Sequence, residues 1–483
     1  MKPRLHCPKR FGVRPGSPVL YRIAASGDKP VRFHAEPLPA GLRLDEATGQ
    51  ITGTLNEPGE YVITVGAENV HGPSTQELRL VVGKEICLTP PLGWNSWNCW
   101  SAEVSQEKVL ASARAMVDSG LADYGWTYIN IDDCWQGLRT GLRHALAPNE
   151  RFPDMAGLCE EIHNLGLKVG IYSTPWYGSY TGNPGGSSYA PDGSDWTPLP
   201  SREWIEMVQR HRHAPYKFDF PDAWQWADWG VDYLKYDWAP VDLDSTHRMR
   251  QALGSTSRDI VLSLSNNCPK SLAVDILDYA HVVRTTSDLH DFWETGARHG
   301  TSDVHGIRDV WKRHHAWQPY TRPGHYADAD MLVVGQVGWG QPRPTRLSRT
   351  EQTTHVNLWS LWASPLLVGC PLNGLDEFTR SLLTNADLLD IHQDPICVQA
   401  YPTEITPEHE VLIKPLEDGG WAVGLFNVTE DERTVEWDAT TLVGDRPVRV
   451  RDVWTGKEYE LRGTHEVTLP AHGSQVLRVF AEG

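Results

Sequence analysis

Between about Leu88 and Pro395 the chain alternates short apolar runs with helical patterns, and nothing else constrains its fold as strongly. The runs are Leu92–Trp97, Tyr128–Asp132, Lys168–Ser173, Tyr233–Asp237, Ile260–Ser265, His281–Thr286, Met331–Val334 and Leu366–Gly369. The intervals between them can hold helices, Ser105–Ser119 and Met155–Leu165 most clearly. Short, near-continuous apolar runs suit strands covered on both faces, and intervening helices supply the crossovers that parallel strands need. Eight such units predict an α/β fold, a (β/α)8 barrel. An open doubly wound sheet is the alternative. It calls for a Gly-rich phosphate loop after an early strand, and no such loop is present.

A chain of 483 residues is long enough for further domains. Residues 1–86 read as a small β-sandwich, with alternating runs such as Val19–Ile23 and Glu60–Val65 between Gly, Pro and Asn turns. Leu38–Leu42 followed by Thr48–Gly53 resembles bacterial immunoglobulin-like modules. Nothing in this stretch looks catalytic, so a spacer or packing role is expected ahead of a carbohydrate-binding one. The barrel is assigned to 87–394. Residues 395–483 read as a C-terminal antiparallel β-sandwich, from Glu410–Lys414, Gly420–Asn427 and Val448–Trp454.

Composition narrows the partners. A net charge of −18 repels phosphate backbones and anionic bilayers, so neither nucleic acid nor a membrane surface is expected. No stretch approaches the ~20 apolar residues of a membrane span. The opening Met1–Pro8 lacks the apolar core of a signal peptide. A cytoplasmic protein is expected, unless a leader for secretion or periplasmic export preceded the numbering. The eight cysteines lie far apart with no Cys-x-x-Cys pair, which leaves room for one or two disulfides but indicates no zinc site. His211, His213, His290, His299, His305, His314 and His315 lack carboxylates or cysteines at ligand spacing, so no metal is expected there. The 21 tryptophans are mostly core, but indole faces also stack on sugar rings.

Barrel enzymes place their chemistry at the C-terminal ends of the strands. Those ends carry Trp97, Asp132, Asp133, Tyr172, Lys235, Asp237, Arg284 and Asp288, with Asp328 and Asp330 just before the seventh run. Any one Asp there is most simply a helix cap or a turn residue. A ring of carboxylates in one mouth is harder to explain structurally, because like charges repel. Glycoside hydrolysis needs such a ring. A retaining enzyme sets two carboxyls ~5–5.5 Å apart, one attacking the anomeric carbon and one protonating the leaving oxygen. Lys235 and Asp237, two apart on a strand, point the same way, and the ammonium is expected to keep Asp237 ionised. Asp288 then needs a drier, more acidic setting to hold its proton. The adjacent Asp132 and Asp133 suit neighbouring hydroxyls of one sugar ring.

These residues fall in motifs that resemble the α-galactosidase family, family 27 of the glycoside hydrolases. The motifs are Gly93–Trp97, Tyr128–Trp135, Gly166–Tyr172, Tyr233–Asp237 and Asp328–Leu332, with Phe152–Met155, Ser364–Gly369 and His392–Pro395 fitting as well. The resemblance spans roughly residues 88–480. It implies Asp237 as nucleophile, Asp288 as general acid/base, and Asp132 and Asp133 as ligands of the 4- and 6-hydroxyls. It further implies that Trp97, Tyr172, Lys235, Arg284, Asp330 and Met331 line the pocket of the reacting sugar, and that no metal or organic cofactor is used. The substrate it implies is a terminal α-galactoside, hydrolysed with retention.

Two departures bear on specificity. Many family members carry a disulfide-linked cysteine two residues after the nucleophile; here Trp238-Ala239 follows. Where α-galactosidases often place a Glu near the 2-hydroxyl, this chain has Ser265. A small residue there resembles the α-N-acetylgalactosaminidase branch; β-L-arabinopyranosidase and isomaltose-releasing dextranase are further specificities on the same machinery. A catalytically inactive carbohydrate-binding protein is the alternative from another class. Trp176–Trp229 reads as an enlargement of the third connection, either a surface elaboration or a wall against the leaving sugar. The oligomeric state is left open.

Overall fold

The computed structural model describes residues 1–199, 203–295 and 304–480. Eight strands form the central sheet: β1 (Leu92–Asn95), β2 (Tyr128–Asn130), β3 (Lys168–Ser173), β4 (Tyr233–Asp237), β5 (Val261–Ser265), β6 (Val282–Arg284), β7 (Tyr326–Asp328) and β8 (Leu366–Val368). Each from β1 to β7 pairs in parallel with the next in chain order, except that β7 and β8 share no regular ladder. β8 pairs with β1. The remaining gap is closed just beyond β7, where Leu332 bridges Val368 and its N–H donates to Leu367 O at 2.8 Å. The ring is therefore continuous, as the strand count requires of a (β/α)8 barrel.

Six helices of the outer layer are α1 (Gln106–Asp118), α2 (Met155–Asn164), α3 (Asp219–Trp229), α4 (Leu243–Gly254), α5 (Ile307–His314) and α6 (Arg349–Leu361). Their starts are set by capping side chains. Ser105, Asp154 and Asp242 accept from backbone N–H groups three residues on, and Ser348 with Glu351 forms a capping box.

Two expectations are corrected. The seventh strand is Tyr326–Asp328, not Met331–Val334. Asp330 has φ +81°, a left-handed conformation that breaks the strand, and the apolar run beyond it is buried while giving the barrel one bridge only. Asp328 thus ends the strand rather than preceding it. The enlargement is also shorter than expected, because Asp219–Trp229 is the ordinary barrel helix α3. The added segment is Trp176–Phe218, with a small ladder between Ser187–Ser188 and Tyr216–Lys217 and a short helix at Trp204–Val208.

The floor of the barrel, at the N-terminal strand ends, is a layer of Tyr233, Val261, Val282 and Tyr326, with Tyr128 packed against it. The N-terminal module covers this floor. Its four-stranded and three-stranded sheets enclose a core that includes Val19, Ile23, Ile51, Ile63, Val65 and Leu80, with a two-stranded ladder of Arg4–Leu5 and Ala25–Ser26 beside them. Arg14 clasps Asp259 at 2.6 Å, Arg22 reaches Asp123 at 3.1 Å, and Lys168 lies over the Phe11 ring at 4.8 Å. The C-terminal sandwich, built on a six-stranded sheet, packs on the barrel's side. Thr354 and Asn357 of α6 bond to His472 O and Ser474, and Glu410 takes Arg308 and Trp311 of α5 at 2.7 and 2.8 Å.

Candidate active site

At the opposite end, the mouth opens into a cavity of about 1340 Å³. Ten of the residues expected at the site line it: Trp97, Asp132, Asp133, Tyr172, Lys235, Asp237, Arg284, Asp288, Asp330 and Met331. The pleat explains the central pair. In β4, Tyr233, Lys235 and Asp237 share the inward face, so the strand runs from the floor layer to the cavity along one line of side chains.

The ion pairing differs from the expectation. Lys235 Nζ bonds Asp132 Oδ2 at 2.8 Å, and Asn95 Nδ2 donates to the same oxygen at 2.9 Å. Asp237 has no such partner, and its Oδ1 is buried with no hydrogen bond. Burial therefore dominates and pushes its carboxyl up to about 7, against the pull of Lys235 and with Asp288 adding to the rise. Asp288 goes the other way. Burial works to raise it, but the Arg284 guanidinium, which bonds it directly, outweighs that and holds it below its ordinary value. Its side chain is 52% exposed. Burial thus favours the protonated form of Asp237 and Arg284 the ionised form of Asp288, the reverse of the expected distribution.

Arg284 organises one side of the mouth. It also pairs with Asp330 at 2.7 Å and donates through Nε to Thr286 O at 2.9 Å. Asp330 in turn accepts from the N–H groups of Leu289 and Met331. That web fixes the strained turn after β7 and the loop after β6 to one another.

Asp133 is held by the added segment. Thr181 donates to its Oδ2 through Oγ1 at 2.8 Å and through N at 3.2 Å, while Gln136 and the N–H of Cys134 bond Oδ1. Burial raises its carboxyl nonetheless. The Tyr172 hydroxyl is buried without a partner, as is Asp237 Oδ1, so two polar groups at the mouth are left for a ligand.

Ser265 is the exception among the expected residues. It sits in register with Asp237 but lines a small cavity that adjoins the mouth, sharing Lys235, Arg284, Asp330 and Met331 with it, together with Asn95, Ser263, Asp328 and Leu367. The wall of the mouth after β5 is made by Asn266 to Lys270 instead, because Asn266 and Asn267 take left-handed conformations (φ +83° and +51°) that turn the chain over the cavity.

Several contributors escaped the sequence reading. Asn95 lies within a quoted motif, but its hold on Asp132 depends on the neighbouring strand. Thr181, Tyr180, His211 and Trp339 reach the cavity through loops that carry no periodic signal, and Trp317 from a short 3-10 turn after α5. Loop composition alone, rich in Trp and Tyr, was the available hint.

None of the eight cysteines forms a disulfide. Trp238, beyond the nucleophile position, is instead buried and donates to Asp242 Oδ2 at 2.9 Å. Among the described residues no group of three or more His, Cys, Asp or Glu is arranged to hold a metal; His299 lies outside them. No helix among them is long and apolar enough to cross a membrane.

Comparison with known proteins places this architecture. The family model for alpha galactosidase A matches residues 89–196 and 213–394, that for the alpha galactosidase C-terminal beta sandwich matches 406–479, and an Ig-domain model matches 6–83. α-Galactosidase A of Cellvibrio japonicus is 30% identical over 416 residues, covering 82% of this chain and 93% of its own. The α-galactosidase of Cyamopsis tetragonoloba is 32% identical, covering 76% and 80%. A Bacteroides fragilis crystal structure provisionally assigned as an α-galactosidase superposes with a TM-score of 0.88 at 30% identity, over 100% of this chain and 98% of that one. A family 27 β-L-arabinopyranosidase of Geobacillus stearothermophilus superposes with a TM-score of 0.67 at 26% identity, over 82% and 98%. Within the barrel the family model leaves out only residues 197–212, the Bacteroides structure matches the N-terminal module as well, and the chain belongs to the α-galactosidase family of glycoside hydrolases.

Proposed function

We propose that the protein is an exo-acting, retaining α-galactosidase that removes terminal α-linked galactose from oligo- or polysaccharides. The observation that carries this reading is the pairing of Asp237 and Asp288 across one cavity, with Lys235 committed to Asp132 and Arg284 to Asp288. In the first step the Asp237 carboxylate attacks the anomeric carbon as the glycosidic bond breaks, and the Asp288 proton passes to the leaving oxygen. In the second, the Asp288 carboxylate takes a proton from water, whose oxygen displaces Asp237 from the anomeric carbon. Two inversions leave the configuration unchanged.

Asp132 and Asp133 act on the sugar rather than on the bond. Protein donors fix the orientation of both carboxylates at the cavity, Asp133 through four hydrogen bonds and Asp132 through Asn95, Lys235 and the N–H of Asp133, so hydroxyls must meet them at set positions. Trp97, Tyr172, Asp330 and Met331 complete the pocket. No cofactor is used in this scheme.

One observation favours a second reading, an α-N-acetylgalactosaminidase: the wall after β5 presents Asn266, Asn267 and Cys268 and no carboxylate beside the expected 2-position. Aryl α-glycosides of galactose and N-acetylgalactosamine separate the two. The expected result is preferred turnover of the galactoside, with Asp237→Ala lowering kcat by at least ~10⁴-fold while binding of galactose, measured by calorimetry, persists. Turnover surviving in Asp237→Ala removes the nucleophile assignment; preference for the N-acetylated substrate replaces the sugar.

A further inference from the structure

Among the described residues of the segment after β3, Tyr180, Trp176, His211 and Trp204 form a wall of touching rings along the cavity. Tyr180 stands at its inner end, where Asn266 Nδ2 donates to its hydroxyl at 3.0 Å. Next comes Trp176, edge-on to Tyr180 with ring centres 5.2 Å apart and stacked on His211 at 4.9 Å with planes 13° apart. Trp204 follows, edge-on to His211 at 5.8 Å. Trp204 is 62% exposed, so beyond its edge contact with His211 most of the indole is open to solvent at the cavity.

The wall is braced rather than loose. Tyr177 and Gly178 donate backbone hydrogen bonds to Arg212 and Arg210, and Arg210 lies over the Trp196 ring at 4.4 Å. Thr181 ties the same segment to Asp133. Burial lowers His211, so its ring stacks as a neutral imidazole.

The cavity is larger than one sugar needs. Pockets of ~300–1,000 Å³ enclose a drug-sized ligand, and this one is about 1340 Å³. Five carboxylates with Lys235 and Arg284 line it, as do Lys270, Lys312 and Arg313. Tyr180, Trp176, Trp204, Met207, Val208 and His211, all from the segment after β3, line it as well and carry no formal charge. Such a surface suits the C–H faces of neutral pyranose rings, lying in a row outward from the bond that breaks.

We propose that this wall is a leaving-group platform that takes at least two neutral sugar residues beyond the scissile bond, making an oligosaccharide chain the preferred substrate over a small aglycone. The proposal rests on the galactosidase reading given above. Trp204 holds the outer sugar and contributes nothing to the reacting one.

The test compares Trp204→Ala and Trp204→Phe with the unmutated enzyme on two substrates. α-Galactosyl fluoride has no leaving sugar, and raffinose has two. The expected result is a loss of about tenfold in kcat/KM on raffinose for Trp204→Ala, the scale of one aromatic contact, with largely restored activity for Trp204→Phe. On the fluoride both variants stay within about twofold of the unmutated enzyme. An equal loss on both substrates, or no loss on raffinose, overturns the platform. Failure of the unmutated enzyme to turn over either substrate overturns the galactosidase reading itself, and the platform with it.

Discussion

At the scale of single residues, the carboxyl pair decides the pH response. Asp237 is held up at about 7 and Asp288 below its ordinary value, so between these limits the pair carries one proton. Only the form with that proton on Asp288 reacts, but both forms titrate together. Above about pH 7 the last proton leaves and no acid remains for the leaving oxygen. Below the ordinary aspartate value, ~4, a second proton enters and silences the nucleophile. A bell-shaped kcat/KM profile is expected, with its alkaline limb near pH 7; a plateau extending to pH 9 contradicts it. Strand periodicity correctly put Lys235 and Asp237 on one face. It said nothing of burial, which outweighs the pull of Lys235 and raises Asp237 where a depression was expected, nor of Asp132, which the ammonium meets across to β2. Ser265 shows the same limit. Its strand was legible, but its depth depended on the two left-handed asparagines that follow.

Among elements, burial separates ion pairs that look alike in sequence. Arg139 and Asp222 join the hairpin after β2 to α3 at 2.8 Å, with side chains 3% and 1% exposed. Nearby, Arg143 and Asp228 pair at 2.6 Å but are 50% and 64% exposed. Asp222→Ala strands a buried guanidinium and is expected to cost ~3–5 kcal/mol. Asp228→Ala is expected to cost less than ~1 kcal/mol. Denaturant melts of the two variants check this, and equal losses would contradict the burial argument. The barrel strands were legible because most are short runs buried on both faces. β7 was not, since the buried run beyond Asp330 is more apolar than the strand itself. α3 was hidden for the opposite reason: Asp219–Trp229 mixes Phe, Pro and three Trp in a way that reads as loop.

For the whole molecule, the covered floor and the open mouth lie at opposite ends of the barrel. Arg14 and Arg22 connect the N-terminal module to loops before β5, β2 and β3, far from the carboxylates. Arg14→Ala combined with Arg22→Ala is expected to lower Tm by several degrees while kcat/KM on α-galactosyl fluoride changes less than twofold. A large loss of activity without loss of Tm would mean that the module communicates with the mouth. The order of the three parts along the chain was readable from texture, because all-β and β/α segments differ in period. Which end of the barrel the module would cover was not, since Arg14 and Asp259 meet across 245 positions.

That arrangement makes the module a natural handle. Val70, at a hairpin tip of the module, is 87% exposed, and no native cysteine is exposed to compete with a thiol introduced there. An enzyme bead-coupled through Val70→Cys would be attached from beneath, with the mouth turned to the flowing solution and room for a long glycan to enter.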